Sequence, residues 1–174
     1  MHPMNHPAFV QFLSYFNGNR DYFECHEVLE EYWKEVAPRD RQHPLTGWIQ
    51  LATGLYHWRR GNFRGATTIL NKACTTLQTS TTSPFVEKID TAALLQQLKH
   101  LQKAVSEQQP YQAMTLRILD EELNNKVQQA MKDLPLADSH FLTHKHRLRD
   151  RTEVLKERDI ALQKRRIDTK RSRH

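Results

Sequence analysis

The residues of this 174-residue chain whose types and spacing could do chemistry fall in two short stretches. In His26-Glu27-Val28-Leu29-Glu30, an imidazole and a carboxylate stand four positions apart, where a helix would bring them into contact. Gln50 and His57 lie seven positions apart, two helical turns, and share one side of their segment with Gly47 and Gly54. Three readings stay open for these residues. Packed together, His26, Glu30, Gln50 and His57 would satisfy one another as a buried hydrogen-bond network. Alternatively His26, Glu30 and His57 would ligate a divalent metal, leaving a position for water and hydrolytic chemistry. Without a metal, the same groups would form an acid–base pair or a small-ligand pocket. The run is not a zinc-protease motif, because Glu30 stands where H-E-x-x-H has its second histidine and Glu27 projects about 100° away.

These residues must be positioned by helices. Phe9, Phe12, Leu13 and Phe16 repeat at helical spacing after Pro7, and Asn17-Gly18-Asn19-Arg20 breaks the run. Asp21 followed by Glu24 starts a second helix, to about Ala37, whose apolar arc is Tyr22, Cys25, Val28, Leu29, Tyr32, Trp33 and Val36. His26 and Glu30 sit at the edge of that arc beside Trp33, and Cys25 lies inside it as a structural thiol. Pro44 opens a third helix reaching Arg60, with Leu45, Ile49, Leu51, Ala52, Leu55 and Tyr56 on one face. Two glycines inside that helix each cost about 1 kcal/mol relative to alanine, which predicts close approach by another helix. The expected partners for Gln50 and His57 are His26 and Glu30 on the preceding helix. Gly61-Asn62 turns the chain into a fourth helix, from about Phe63 to Thr79, and Ser80 to Pro84 reads as a linker. Helices from Asp90 to about Gln108 and from Asp120 to Lys132 follow, with Tyr111 to Leu116 extended between them. Trp33, Trp48 and Leu55 are expected in the core.

Tyr22, Cys25, Leu29 and Tyr32 map with an offset of 41 onto Phe63, Ala66, Leu70 and Ala73. The turn at Gly61-Asn62-Phe63 resembles the inter-helix turn of a tetratricopeptide repeat, and the offset predicts two stacked hairpins instead of a solenoid.

Three longer runs carry a family resemblance: Tyr22 to Trp33, Gly47 to Ala52 with Leu55-Tyr56-His57, and Arg60 to Ala66. Over about residues 9–78 the chain resembles a small bacterial family, domain of unknown function 309. The resemblance implies a compact all-helical domain without an established activity. It also implies that His26, Glu27, Glu30, Gln50 and His57 form a polar cluster supported by Trp33 and Asn62.

Composition narrows the rest. Five glycines and seven prolines argue against a loop-rich β fold, and no apolar run approaches membrane-spanning length. The start of the chain lacks the basic and apolar stretches of a signal peptide, and two cysteines make no disulfide framework. No glycine-rich phosphate loop or G-x-S-x-G element is present. A cytoplasmic location with no membrane partner is expected.

The formal charge of +6 is uneven. Residues 1–143 hold 14 Lys and Arg against 15 Asp and Glu, whereas residues 144–174 hold 12 against 5. Phe141, Leu148, Leu155 and Leu162 recur every seven positions, but no second apolar row completes a coiled coil. Lys164, Arg165, Arg166, Lys170, Arg171 and Arg173 form a basic end through which alone nucleic acid would be contacted.

The expectation is therefore an all-α protein: stacked helical hairpins over residues 1–137 and a basic helical tail over 138–174. Its leading role is structural or protein-interacting, as a candidate homo-oligomer. The alternative is a metal-dependent, hydrolytic enzyme.

Overall fold

The computed structural model of the chain describes residues 1–135, 142–144, 160 and 162–166. After a 3-10 turn (Pro3–Asn5) come α1 (Pro7–Asn17), α2 (Tyr22–Val36), α3 (Pro44–Arg59), α4 (Phe63–Gln78), α5 (Thr91–Ser106) and α6 (Glu121–Met131). No strand occurs among the described residues beyond one isolated bridge between Ile89 and Ile118. The fold is all-helical, and among the described residues no helix is long and apolar enough to cross a membrane.

The helix starts follow from local chemistry. Asp21, Asn62, Asp90 and Asp120 each accept the backbone N–H three residues on, at the beginnings of α2, α4, α5 and α6. Prolines occupy the first turns of α1 and α3, where a missing N–H costs nothing.

Packing runs along the chain. α1 rests on α2, α2 on α3, α3 on α4 and α4 on α5, while α6 returns to α1. α3 is the centre, with Leu45, Trp48, Leu51, Ala52 and Leu55 fully buried. The two sets related by the offset of 41 flank it: Tyr22, Cys25, Leu29 and Tyr32 are buried on α2, and Ala66, Leu70 and Ala73 on α4. Close approach by another helix occurs where the glycines predict it. A Cβ on Gly54 would lie 2.5 Å from Leu70 Cδ2, and one on Gly47 would lie 2.9 Å from Leu77 Cδ2.

Two expectations, both at the end of α2, differ from the structure. Trp33 is half-buried and Val36 is 44 % exposed, because the last turn of α2 overhangs the body. Trp33 Nε1 instead donates to the Asp40 carbonyl (2.8 Å), so the indole staples the α2–α3 turn. The Ser80–Pro84 segment is a non-helical connection, as expected, with Thr81, Thr82 and Pro84 exposed, and it is anchored at both ends. Ser80 and Val86 are buried, and the Phe85 carbonyl accepts from Trp48 Nε1 (3.0 Å). Tyr111 to Leu116 has no regular structure, as expected, and is pinned by Asn17, whose amide bonds both the N–H and the carbonyl of Leu116 at 2.9 Å.

Candidate cleft between α2 and α3

His26 and Glu30 project from α2 beside its buried stripe, and Glu27 projects one position on. His26 Nδ1 lies 3.2 Å from Glu27 Oε1, and Nε2 lies 3.4 Å from Glu30 Oε2. One ligand atom from each of the three comes within 4.8 Å of the others. Lys34, one turn further, bonds the second Glu30 oxygen at 2.7 Å. That hydrogen bond is the main reason the Glu30 carboxyl sits below its ordinary pKa; burial opposes it and the imidazole adds to it. The trio is not buried. Side-chain exposures are 36 % for His26, 49 % for Glu27 and 33 % for Glu30. The reason lies in the helix: Tyr22, Cys25, Leu29 and Tyr32 take the inward arc, leaving the polar groups at its edge.

Gln50 and His57 find partners other than α2. The glycine side of α3 belongs to α4, so Gln50 Oε1 accepts from Thr76 Oγ1 (3.3 Å). His57 Nδ1 faces Arg60 Nη2 (3.1 Å) and Asn62 Nδ2 (3.3 Å). Two N–H donors on one ring nitrogen make it the acceptor, so the hydrogen of the neutral ring sits on Nε2. Asn62 also accepts from Gly65 N (3.0 Å) as the α4 cap, tying the His57 ring to the turn.

His26 and His57 nevertheless share one surface. Together with Tyr22, Phe23, Thr53, Tyr56 and Arg60 they line a cleft of about 180 Å³ between α2 and α3. Its lining is predominantly apolar, and the Phe23 and Tyr56 rings lie 6.4 Å apart within it. Thr53 Oγ1 donates to the Ile49 carbonyl (2.8 Å), which turns its proton back onto α3.

Arg59 was not legible as a site residue. Its guanidinium lies 4.7 Å from the Tyr22 ring centroid, donates to the Arg20 carbonyl (2.8 Å) and reaches the Leu142 carbonyl (3.1 Å). Beside it the Tyr22 and Tyr111 hydroxyls share a hydrogen bond, and burial pushes the Tyr22 phenol well above its ordinary pKa. The one available signal was the Arg59-Arg60 doublet closing an apolar helix, where adjacent positions face different sides. Cys25 is fully buried, its thiol pushed up by desolvation, in keeping with a packing role. In the basic end, Leu162 is 51 % exposed, and Lys164, Arg165 and Arg166 beside it are exposed too. Phe141, Leu148, Leu155, Lys170, Arg171 and Arg173 lie outside the described residues.

Comparison with known proteins adds a family. The family described as Domain of unknown function (DUF309) matches residues 9–69. An uncharacterized protein of Bacillus subtilis, YpuF, is 38 % identical over 165 residues, covering 91 % of this chain and 95 % of its own. The chain belongs to this family. No solved structure matches it. Every residue lining the α2–α3 cleft falls inside the segment matched to DUF309, whereas α5 and α6 lie beyond it. The family description carries no activity, so function rests on the geometry.

Proposed function

We propose that the protein is an interaction domain whose α2–α3 cleft receives a single apolar side chain of a partner protein. The size and lining of the cleft carry this reading. Small-molecule and cofactor sites run to about 300–1,000 Å³. A cleft of about 180 Å³ is side-chain sized. Helices build it, so it can stand preformed and costs little ordering on binding. The predominantly apolar lining suits an apolar side chain, and the Thr53 hydroxyl is turned back onto the Ile49 carbonyl. Titration of the labelled protein with N-acetyl-leucinamide, followed by NMR, tests the reading. Saturable shifts are expected at Phe23, Thr53 and Tyr56, and Thr53→Phe, which fills the cleft, should abolish them while leaving helicity unchanged. Shifts that never saturate, or that survive Thr53→Phe, would overturn it.

A second reading rests on the convergence of His26, Glu27 and Glu30. An imidazole and two carboxylates suit zinc or another divalent ion, with a water completing the shell for hydrolytic chemistry. Here Glu30 would exchange Lys34 for the metal, and His57 would remain with Arg60 and Asn62. Zinc should then raise the Tm of tag-free protein, and His26→Gln should remove the increase. An unchanged Tm with zinc would dismiss the metal.

A further inference from the structure

An extended segment, residues 113–119, has one edge that is only half paired. Burial along it alternates: Met114 and Leu116 are buried, whereas Ala113, Thr115 and Arg117 are exposed, the period of a strand. Its main chain alternates too. Asn17 takes the Leu116 N–H and carbonyl, and Arg20 takes the Met114 carbonyl, both from the end of α1 and the turn after it. On the opposite edge the Arg117 carbonyl accepts from Asp90 N (2.9 Å), and Leu119 N donates to the Lys88 carbonyl (2.8 Å). These bonds frame the antiparallel Ile89–Ile118 bridge. Strand geometry puts the N–H and carbonyl of Ala113 and Thr115 on that same edge. Among the described residues, no hydrogen bond engages any of those main-chain groups. The course of the chain explains this, because residues 88–90 leave the edge at Thr91 to begin α5. Where they would have continued, a hollow of about 490 Å³ opens between α5, at Gln96 and His100, and residues 112–115. The buried Leu101 and Met114 belong to its lining.

We propose that this hollow takes an extended, acidic segment of a partner protein, which pairs its main chain with Ala113 and Thr115. The added strand would lengthen the Ile89–Ile118 bridge into a ribbon. Addition of a strand to an exposed edge is a recurrent mode of peptide recognition, in which main-chain bonds give affinity and side chains give selectivity. The surface is separate from the α2–α3 cleft and does not depend on it. Charge selects the partner. Between Asp90 and Glu107, α5 carries Lys99, His100 and Lys103 and no acid, and residues 108–119 carry Arg117 and no acid. Asp90 pairs with Arg117 (3.5 Å) at one end, and Glu107 lies 4.0 Å from Lys103 at the other. Lys99 and His100, between them, make no ion pair among the described residues. The two walls meet at His100 Nε2 and Gln112 Oε1, 3.5 Å apart, the outer limit of a hydrogen bond, so an incoming chain loses little by parting them.

Titration of the labelled full chain with acetyl-Glu-Val-Glu-Val-Glu-amide, followed by NMR, tests the proposal. Saturable shifts are expected at the Ala113 and Thr115 amides. Alternate residues of an added strand face the edge, so N-methylation at the valines or at the glutamates separates main-chain pairing from other contact. One of those two peptides should bind about tenfold more weakly than the parent, and the other should match it. Ala113→Pro deletes an N–H that bonds nothing within the protein, so it should keep the Tm and cost about the same factor. If that variant fails to fold, His100→Glu, at an exposed position, should weaken the glutamate peptide and strengthen its lysine analogue. Both methylated peptides binding like the parent would overturn main-chain pairing. A lysine analogue that binds the native chain as tightly would overturn the acidic partner. Absence of saturable shifts at Ala113 and Thr115 would overturn the site, and shifts at Phe23 and Tyr56 in their place would move the peptide to the α2–α3 cleft. The same shifts on concentrating the protein alone would give the edge to a second copy of this chain.

Discussion

Histidine is an unusual helix cap, and among the described residues it serves three times in one form. His2, His6 and His43 each precede a proline, and the Nδ1 of each accepts the amide N–H two residues on, at 3.2, 3.1 and 3.2 Å. Proline at the first position offers no N–H, so the next amide is the first that needs a partner. The capping nitrogen must carry no hydrogen, which ties the cap to protonation state. At His43, burial lowers the pKa below its ordinary value of 6.5, against an opposing pull from Asp40. A histidine lowered in the folded state contributes stability above the unfolded pKa, which is lost as pH falls through the folded one. His43→Ala should therefore cost about 1 kcal/mol at pH 7.5, the usual worth of a cap, and less at pH 5.5. The ring also packs against Phe85 at 4.6 Å, a contact whose loss counts equally at both values. Urea denaturation of both proteins at the two pH values measures the difference, and an equal cost at both would refute a protonation-sensitive cap. The Glu30–Lys34 pair contributes little by comparison, since Lys34 is 61 % exposed and solvent screens the bond.

At the level of elements, the α3–α4 contact depends on two missing methyl groups. Alanine at position 54 would gain about 1 kcal/mol of helix propensity. Against this, the new Cβ would meet Leu70 Cδ2 at 2.5 Å and Cγ at 2.6 Å, and Leu70 is fully buried with no room to turn away. Overpacking of this kind costs about 1–3 kcal/mol. A net loss of up to about 2 kcal/mol is expected for Gly54→Ala, read as a lower urea midpoint with an unchanged slope. A variant more stable than the native chain would mean that α4 can yield. This contact also marks how far the sequence was legible. Interior glycines announced a close neighbour, and Asp21, Asn62, Asp90 and Asp120 announced helix starts, because both signals are local. Which helix the glycine side meets is not local. The wheel ranks the faces of α3 but does not name their neighbours, so Gln50 was expected against α2 and bonds Thr76 on α4. The His26–Glu30 pair was readable as neighbours one turn apart. The pairing of His57 with Arg60 and Asn62 depends on how the turn at Gly61 folds back, and the reach of Arg59 to Leu142 spans 83 positions.

Across the whole molecule, charge separates from structure along the chain. Residues 1–143 carry 14 basic and 15 acidic side chains, so the body has no net attraction for a polyanion. Residues 144–174 carry 12 basic and 5 acidic ones, and any general affinity for nucleic acid must reside there. The join between the two is not an inert spacer. Leu142 is 7 % exposed and its carbonyl accepts from Arg59, so a truncation meant to remove charge alone must leave residues 142–144 in place. Deleting residues 164–174 meets that condition. It removes Lys164, Arg165, Arg166, Lys170, Arg171 and Arg173 against Asp168, and the described residues in that stretch are exposed. The shortened chain is expected to keep the native Tm, because no buried residue described here is lost. Binding of the full chain to random duplex DNA should weaken steeply with salt through counterion release, and the deletion should flatten that slope. Fluorescence anisotropy at two salt concentrations, on both chains, measures it. A full-length protein with no salt-sensitive binding would leave the basic end without a role in contacting nucleic acid. An unchanged slope after the deletion would move that contact to the basic residues between 145 and 158.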